Sequence, residues 1–101
     1  MPTALLVPTK PISFRLAHNR ALRVAVFTRD EFTCQDCGWR PLDSQIPADY
    51  DGRYTIGTWP YPQADRLLHM DHVIPRAAGG LSVLANMATR CEPCNNRKGD
   101  R

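Results

Sequence analysis

Asp71 and His72 stand side by side, and Asn95 follows a cysteine pair further along the chain. A carboxylate and an amide oxygen are hard donors that suit Mg2+ or Mn2+ with water positions left open. An imidazole with a reference pKa of about 6.5 can take a proton from water near neutral pH. Neighbours on a strand point to opposite faces, so Asp71 can hold a cation while His72 stands off as a base. Arg97 offers a planar fork for a phosphate and Lys98 a point charge, with Arg76 a further candidate of the same kind. Metal-assisted hydrolysis of a phosphodiester needs this combination.

The four cysteines fall into two C-x-x-C pairs, Cys34/Cys37 and Cys91/Cys94. A two-residue spacer turns both sulfurs of a pair to one side, and two such knuckles close a tetrahedral thiolate shell, the usual structural Zn2+ site. The pairs are far apart, so the clamp encloses a sub-domain and restricts a long loop. Disulfides require an oxidising compartment, and a redox C-x-x-C would be a single pair in a βαβ setting.

The elements that must position these groups can be read from pattern. Residues 1–17, with Pro2, Pro8 and Pro11, predict an irregular arm. Residues 18–31 predict an amphipathic helix, with Asn19 as N-cap. Leu22, Val26 and Ala25 face inward on it, and Arg20, Arg23 and Asp30 outward. Residues 40–66 predict a loop-rich insert, with a short hairpin around Tyr50–Trp59 turned at Asp51-Gly52. Leu67–Ile74 predicts a strand, Ala78-Gly79-Gly80 a turn and Leu81–Leu84 a returning strand. The second knuckle then leads into a short helix carrying Asn95, Asn96, Arg97 and Lys98. Trp39, Trp59, Tyr54 and Tyr61 read as packing residues rather than base-stacking platforms. His69 shares a strand face with Asp71 and reads as a polar surface position, and His18 as solvated.

A chain of 101 residues with 43% hydrophobic content holds one small domain, of a size that often needs a staple. No apolar run is long enough to span a membrane, and the first residues lack the charged leader of a signal peptide. A cytoplasmic protein is the expectation. The formal net charge of +3 falls to +1 once four thiolates hold one divalent ion. Nucleic-acid contact therefore rests on local clusters: Arg90, Arg97, Lys98 and Arg101 near the C-terminus, and Arg15, Arg20, Arg23 and Arg29 in and before the first helix.

These residues carry a resemblance to the HNH endonucleases. The family pattern of D-H, Gly-Gly, N-L, C-x-x-C-H/N and R-K-G reads here as Asp71-His72, Gly79-Gly80, Asn86-Met87, Cys91-x-x-Cys94-Asn95 and Arg97-Lys98-Gly99. The resemblance implies a small α+β domain, the ββα-metal (His-Me finger) fold, with a four-cysteine structural zinc site and an N-terminal helix. It covers residues 20–39 and 67–99 within a single domain of residues 18–101. It implies Asp71 as a metal ligand, His72 as general base and Asn86 as the residue that braces the catalytic loop. Asn95 stands where most members have His, as in the H-N-N variant of phage junction-resolving enzymes. Arg90 replaces the usual apolar residue before the cysteine. The implied function is DNA nicking or cleavage by a phage-type small protein, with packaging proteins such as terminase as partners. The alternative is a four-cysteine zinc module that binds DNA or protein without catalysis; an iron carrier with the same thiolates would require a more acidic surface.

Overall fold

The structure is a computed structural model that describes residues 11–98, with side chains from residue 18 onward. Residues 1–10 of the expected arm, the Arg15 side chain, Gly99 and Arg101 lie outside the described residues. Helix α1 spans Pro11–Arg29, strand β1 Leu68–His72, strand β2 Met87–Cys91 and helix α2 Glu92–Lys98.

Helix α1 begins at Pro11, inside the segment expected to be irregular. Proline fits a first helical turn because its missing N–H has no partner there and its φ is already helical. Asn19 consequently lies inside the helix and does not cap it. Leu22, Val26 and Phe27 are buried, whereas Ala25, expected inward, is exposed. Phe27 anchors an aromatic cluster, stacking on Tyr50 with ring centroids 5.7 Å apart and meeting Phe32 at 6.0 Å.

The chain leaves α1 through two left-handed residues, Glu31 at φ 54° and Phe32 at φ 55°. The Phe32 N–H donates to the Phe27 carbonyl at 2.8 Å, which closes the helix end and turns Cys34 toward the core. Asp30, expected to face water, is 7% exposed in its side chain and accepts the Thr89 N–H at 2.9 Å. Arg29 pairs with Asp30 at 2.8 Å and donates to the carbonyls of Leu84 at 2.9 Å and Met87 at 2.6 Å. The end of α1 thus grips the start and middle of β2.

Strands β1 and β2 form an antiparallel two-stranded sheet, with Leu68 opposite Cys91, Met70 opposite Thr89 and His72 opposite Met87. The returning strand is therefore Met87–Cys91, and Leu81–Leu84, expected to be that strand, belongs to the connecting loop. Two features hold that loop out of the sheet. Gly79 takes φ 93°, and a Cβ on Gly80 would overlap the Ile74 carbonyl oxygen and crowd Asn86 Nδ2. Leu81, Val83 and Leu84 are exposed instead of packed.

The insert contributes more than a loop. The Asp51 carboxylate accepts the Arg53 N–H at 3.0 Å in a local turn, Ile56 is fully buried, and Ile56 bridges to Leu68. The expected Tyr50–Trp59 hairpin is absent among the described residues. Trp59 also departs from its expected packing role and is 83% exposed. The core runs from Leu22, Val26 and Phe27 through Ile56, Leu68 and Met87 to Cys34, Cys91 and Cys94.

Candidate metal and catalytic site

The two cysteine pairs converge. The sulfurs of Cys34, Cys37, Cys91 and Cys94 all lie within 4.8 Å of one another, and Cys37 Sγ is 3.6 Å from Cys91 Sγ. A tetrahedral thiolate-bound zinc, with Zn–S near 2.3 Å, has sulfur–sulfur edges of about 3.8 Å. The donor set and its spacing therefore fit such an ion. The first pair forms a true knuckle, in which the Gly38 N–H donates to the Cys34 carbonyl at 2.9 Å with Gly38 at φ 84°. The second pair is built differently: Cys91 ends β2 and Cys94 lies in the first turn of α2.

The thiols do not titrate alike. Burial opposes ionisation of Cys34, but the backbone N–H groups of Cys37, Cys91 and Asp36 outweigh it and bring the thiol down to about 6. Burial and its thiol neighbours push Cys94 up to about 12. Two arginines face the sulfurs. Arg66 Nη1 lies 3.4 Å from Cys91 Sγ and 3.6 Å from Cys37 Sγ, and Arg97 Nη2 lies 3.1 Å from Cys94 Sγ. Their charges offset the excess negative charge of a tetrathiolate. Arg66 also lies 5.6 Å from the Trp39 ring centroid. Sequence reading missed Arg66, since no spacing rule ties it to the cysteines.

Asp71 and His72 close β1, opposite Ala88 and Met87. Lys98 of α2 sits beside Asp71, its Nζ 2.9 Å from Asp71 Oδ2 and 2.6 Å from the His72 carbonyl. Arg90 Nε is 3.0 Å from the same carboxylate oxygen but makes no aligned hydrogen bond. Asn95 precedes Lys98 by three residues, which sets both on one helical face, and both are half-buried. Arg97 and Lys98, expected at phosphates, are thus engaged with the domain's own sulfur and carboxylate groups. Arg76, in the 3-10 turn Arg76–Ala78, is exposed. His69 pairs with Glu92 at 3.5 Å.

His72 turns to the connecting loop, where its Nε2 lies 2.8 Å from Ser82 Oγ. Asn86 holds that loop from inside. Its Oδ1 accepts the Ile74 N–H at 2.8 Å, and its Nδ2 donates to the carbonyls of Ile74 at 3.1 Å and Leu81 at 2.9 Å. The side chain ties the residues just after β1 to those just before β2. The basic residues of α1 are also in structural use. Arg20 pairs with Asp51 at 3.2 Å, and Arg23 donates to the Gly52 carbonyl.

Among the described residues, no helix is long and apolar enough to cross a membrane. No curated protein and no solved structure matches the chain. A family model described as HNH endonuclease matches residues 58–101, the stretch that holds β1, the Asn86 loop, β2 and α2. The two strands, the helix packed after them and this match assign residues 58–101 to the HNH endonuclease family.

Proposed function

We propose that the domain is a metal-dependent nuclease that hydrolyses phosphodiester bonds of DNA. In this reading His72 is the general base, Asp71 and Asn95 hold a divalent cation, and Cys34, Cys37, Cys91 and Cys94 hold a structural zinc. The observation that carries it is the end of β1. Asp71 meets α2 there while His72 meets the connecting loop, so the cation-binding and proton-accepting groups are adjacent yet separately held.

His72 takes a proton from water, and the water oxygen bonds to phosphorus as the bond to the 3′ oxygen breaks. The leaving oxygen takes a proton from solvent, which gives a 3′-hydroxyl and a 5′-phosphate. The cation, when bound, supplies charge stabilisation at a non-bridging oxygen and at the leaving oxygen. Asp71 offers a carboxylate oxygen and Asn95 an amide oxygen to it, donors suited to Mg2+ or Mn2+. Asn86 keeps the loop in register with the strand end, and Arg76 is available to a phosphate beside it.

One observation favours a second reading, a zinc-stapled module that binds DNA without cutting it. Asp71 Oδ2 already faces two cations, Arg90 and Lys98. Incubating supercoiled plasmid with the protein in Mg2+, Mn2+ or EDTA separates the two. Open-circle product in either metal and none in EDTA supports the nuclease. DNA binding without relaxation in any metal supports the module.

A further inference from the structure

The family match begins at residue 58, so α1 lies outside it. Yet α1 reaches the site. His18 Nε2 lies 3.0 Å from the Ser82 carbonyl, and Ser82 Oγ lies 2.8 Å from His72 Nε2. Two histidines far apart in sequence thus meet at one serine, one through its backbone and one through its side chain.

We propose that Ser82 is a positioning residue for His72, and that His18 of α1 anchors Ser82. The proposal rests on His72 as the base. An imidazole on a strand end can rotate about its side-chain bonds and can present either ring nitrogen. A hydroxyl that accepts from the Nε2–H group fixes both choices at once. In that tautomer Nδ1 carries the lone pair that takes the proton, and Ser82 Oγ goes on accepting from Nε2–H. No rearrangement accompanies the proton transfer.

The hydroxyl can do this because Ser82 is itself held. Asn86 Nδ2 grips the preceding carbonyl, that of Leu81, at 2.9 Å. His18 Nε2 meets the Ser82 carbonyl itself at 3.0 Å. Gly80 lets the chain pass close under the Ile74 carbonyl, where any side chain would collide. Asn86 and Gly80 lie within the matched segment, but His18 does not. This chain therefore uses its N-terminal helix as part of the support for the site.

Ser82→Ala, Ser82→Thr and His18→Ala test this. Nitrogen-15 chemical shifts of the His72 ring read the tautomer directly and need no cleavage. The wild type is expected to hold the Nε2–H form, and Ser82→Ala to lose that preference while keeping its circular dichroism spectrum. Plasmid nicking by Ser82→Ala is expected to fall about 10- to 100-fold in kcat with KM nearly unchanged, by analogy with the hydrogen bonds that orient metal-ligating histidines. Ser82→Thr, which keeps the hydroxyl, restores both readouts. His18→Ala lowers kcat by about threefold, as suits loss of one exposed hydrogen bond. Unchanged His72 shifts in Ser82→Ala overturn the proposal, whatever the rate. A protein that shows the tautomer effect but never cuts DNA defeats the nuclease reading instead and leaves the contact intact.

Discussion

Lys98 Nζ lies 2.9 Å from Asp71 Oδ2, so the carboxylate proposed as a cation ligand has a tethered ammonium against it. Both side chains are shielded, at 20% and 18% exposure, so the contact is screened less than a surface pair. A cation arriving at either oxygen of Asp71 is repelled by that nearby ammonium. A DNA phosphate is a natural acceptor for the ammonium. Replacing Lys98 with Met should therefore tighten Mn2+ binding without DNA by about three- to tenfold, the equivalent of ~1 kcal/mol. Titration calorimetry reads this. Equal affinity in the two proteins would show that Lys98 does not compete at Asp71.

The thiolate cluster should behave as a fold-determining staple. Purified protein is expected to carry one zinc per chain. Structural zinc contributes on the order of 10–16 kcal/mol in small domains, as much as or more than a domain's whole stability of about 5–15 kcal/mol. Cys91→Ser or strong chelation should thus unfold the domain, seen as loss of the cooperative thermal transition. A chelated protein that keeps its melting temperature would contradict the assignment.

Asp30 predicts a defined acid sensitivity. Burial opposes its ionisation, but the Arg29 guanidinium and the Thr89 N–H outweigh it and hold the carboxyl below the usual range. The native value lies under the unfolded one. Its contribution is therefore fully present above about pH 4 and is lost as pH falls through the lowered native value. Asp30→Asn should cost about 1–3 kcal/mol at pH 7, and the gap to wild type should narrow below pH 4. Denaturant titrations across pH check this, and a gap that does not change with pH would contradict it.

The connecting loop should depend on Gly80 and Asn86 together. Gly80→Ala places a methyl group against the Ile74 carbonyl, and Asn86→Ala removes three hydrogen bonds across the loop. Each should destabilise by about 1–3 kcal/mol, and the double variant by less than the sum, because both act on the same loop geometry. Thermal melts of the four proteins test the coupling, and strict additivity would argue against it.

The cysteine clamp was legible because spacing alone constrains it: two residues between the sulfurs leave little choice of geometry. The Asp71-His72 strand and the C-terminal helix were legible for a similar reason, as local pattern and local structure coincide there. The second strand was misplaced because Leu81–Leu84 has the apolar content of a strand, while the contacts that pull it into the loop come from Gly80 and Asn86. Asp30 was misplaced because an acidic residue at a helix end usually faces water, and only the position of β2 gives it a backbone partner. His18, Ser82 and Arg66 carried no local signal at all. His18 and Arg66 meet partners distant in sequence, Ser82 meets His72 across the connecting loop, and only folding brings these groups together.

In the proposed hydrolysis His72 accepts the proton from the attacking water. The most direct measurement compares wild type and His72→Ala in nicking supercoiled plasmid with Mg2+ or Mn2+, both proteins zinc-loaded and matched in circular dichroism. The expected result is a loss of about 100-fold or more in the variant, with DNA affinity unchanged. Equal nicking by the two proteins would contradict the account.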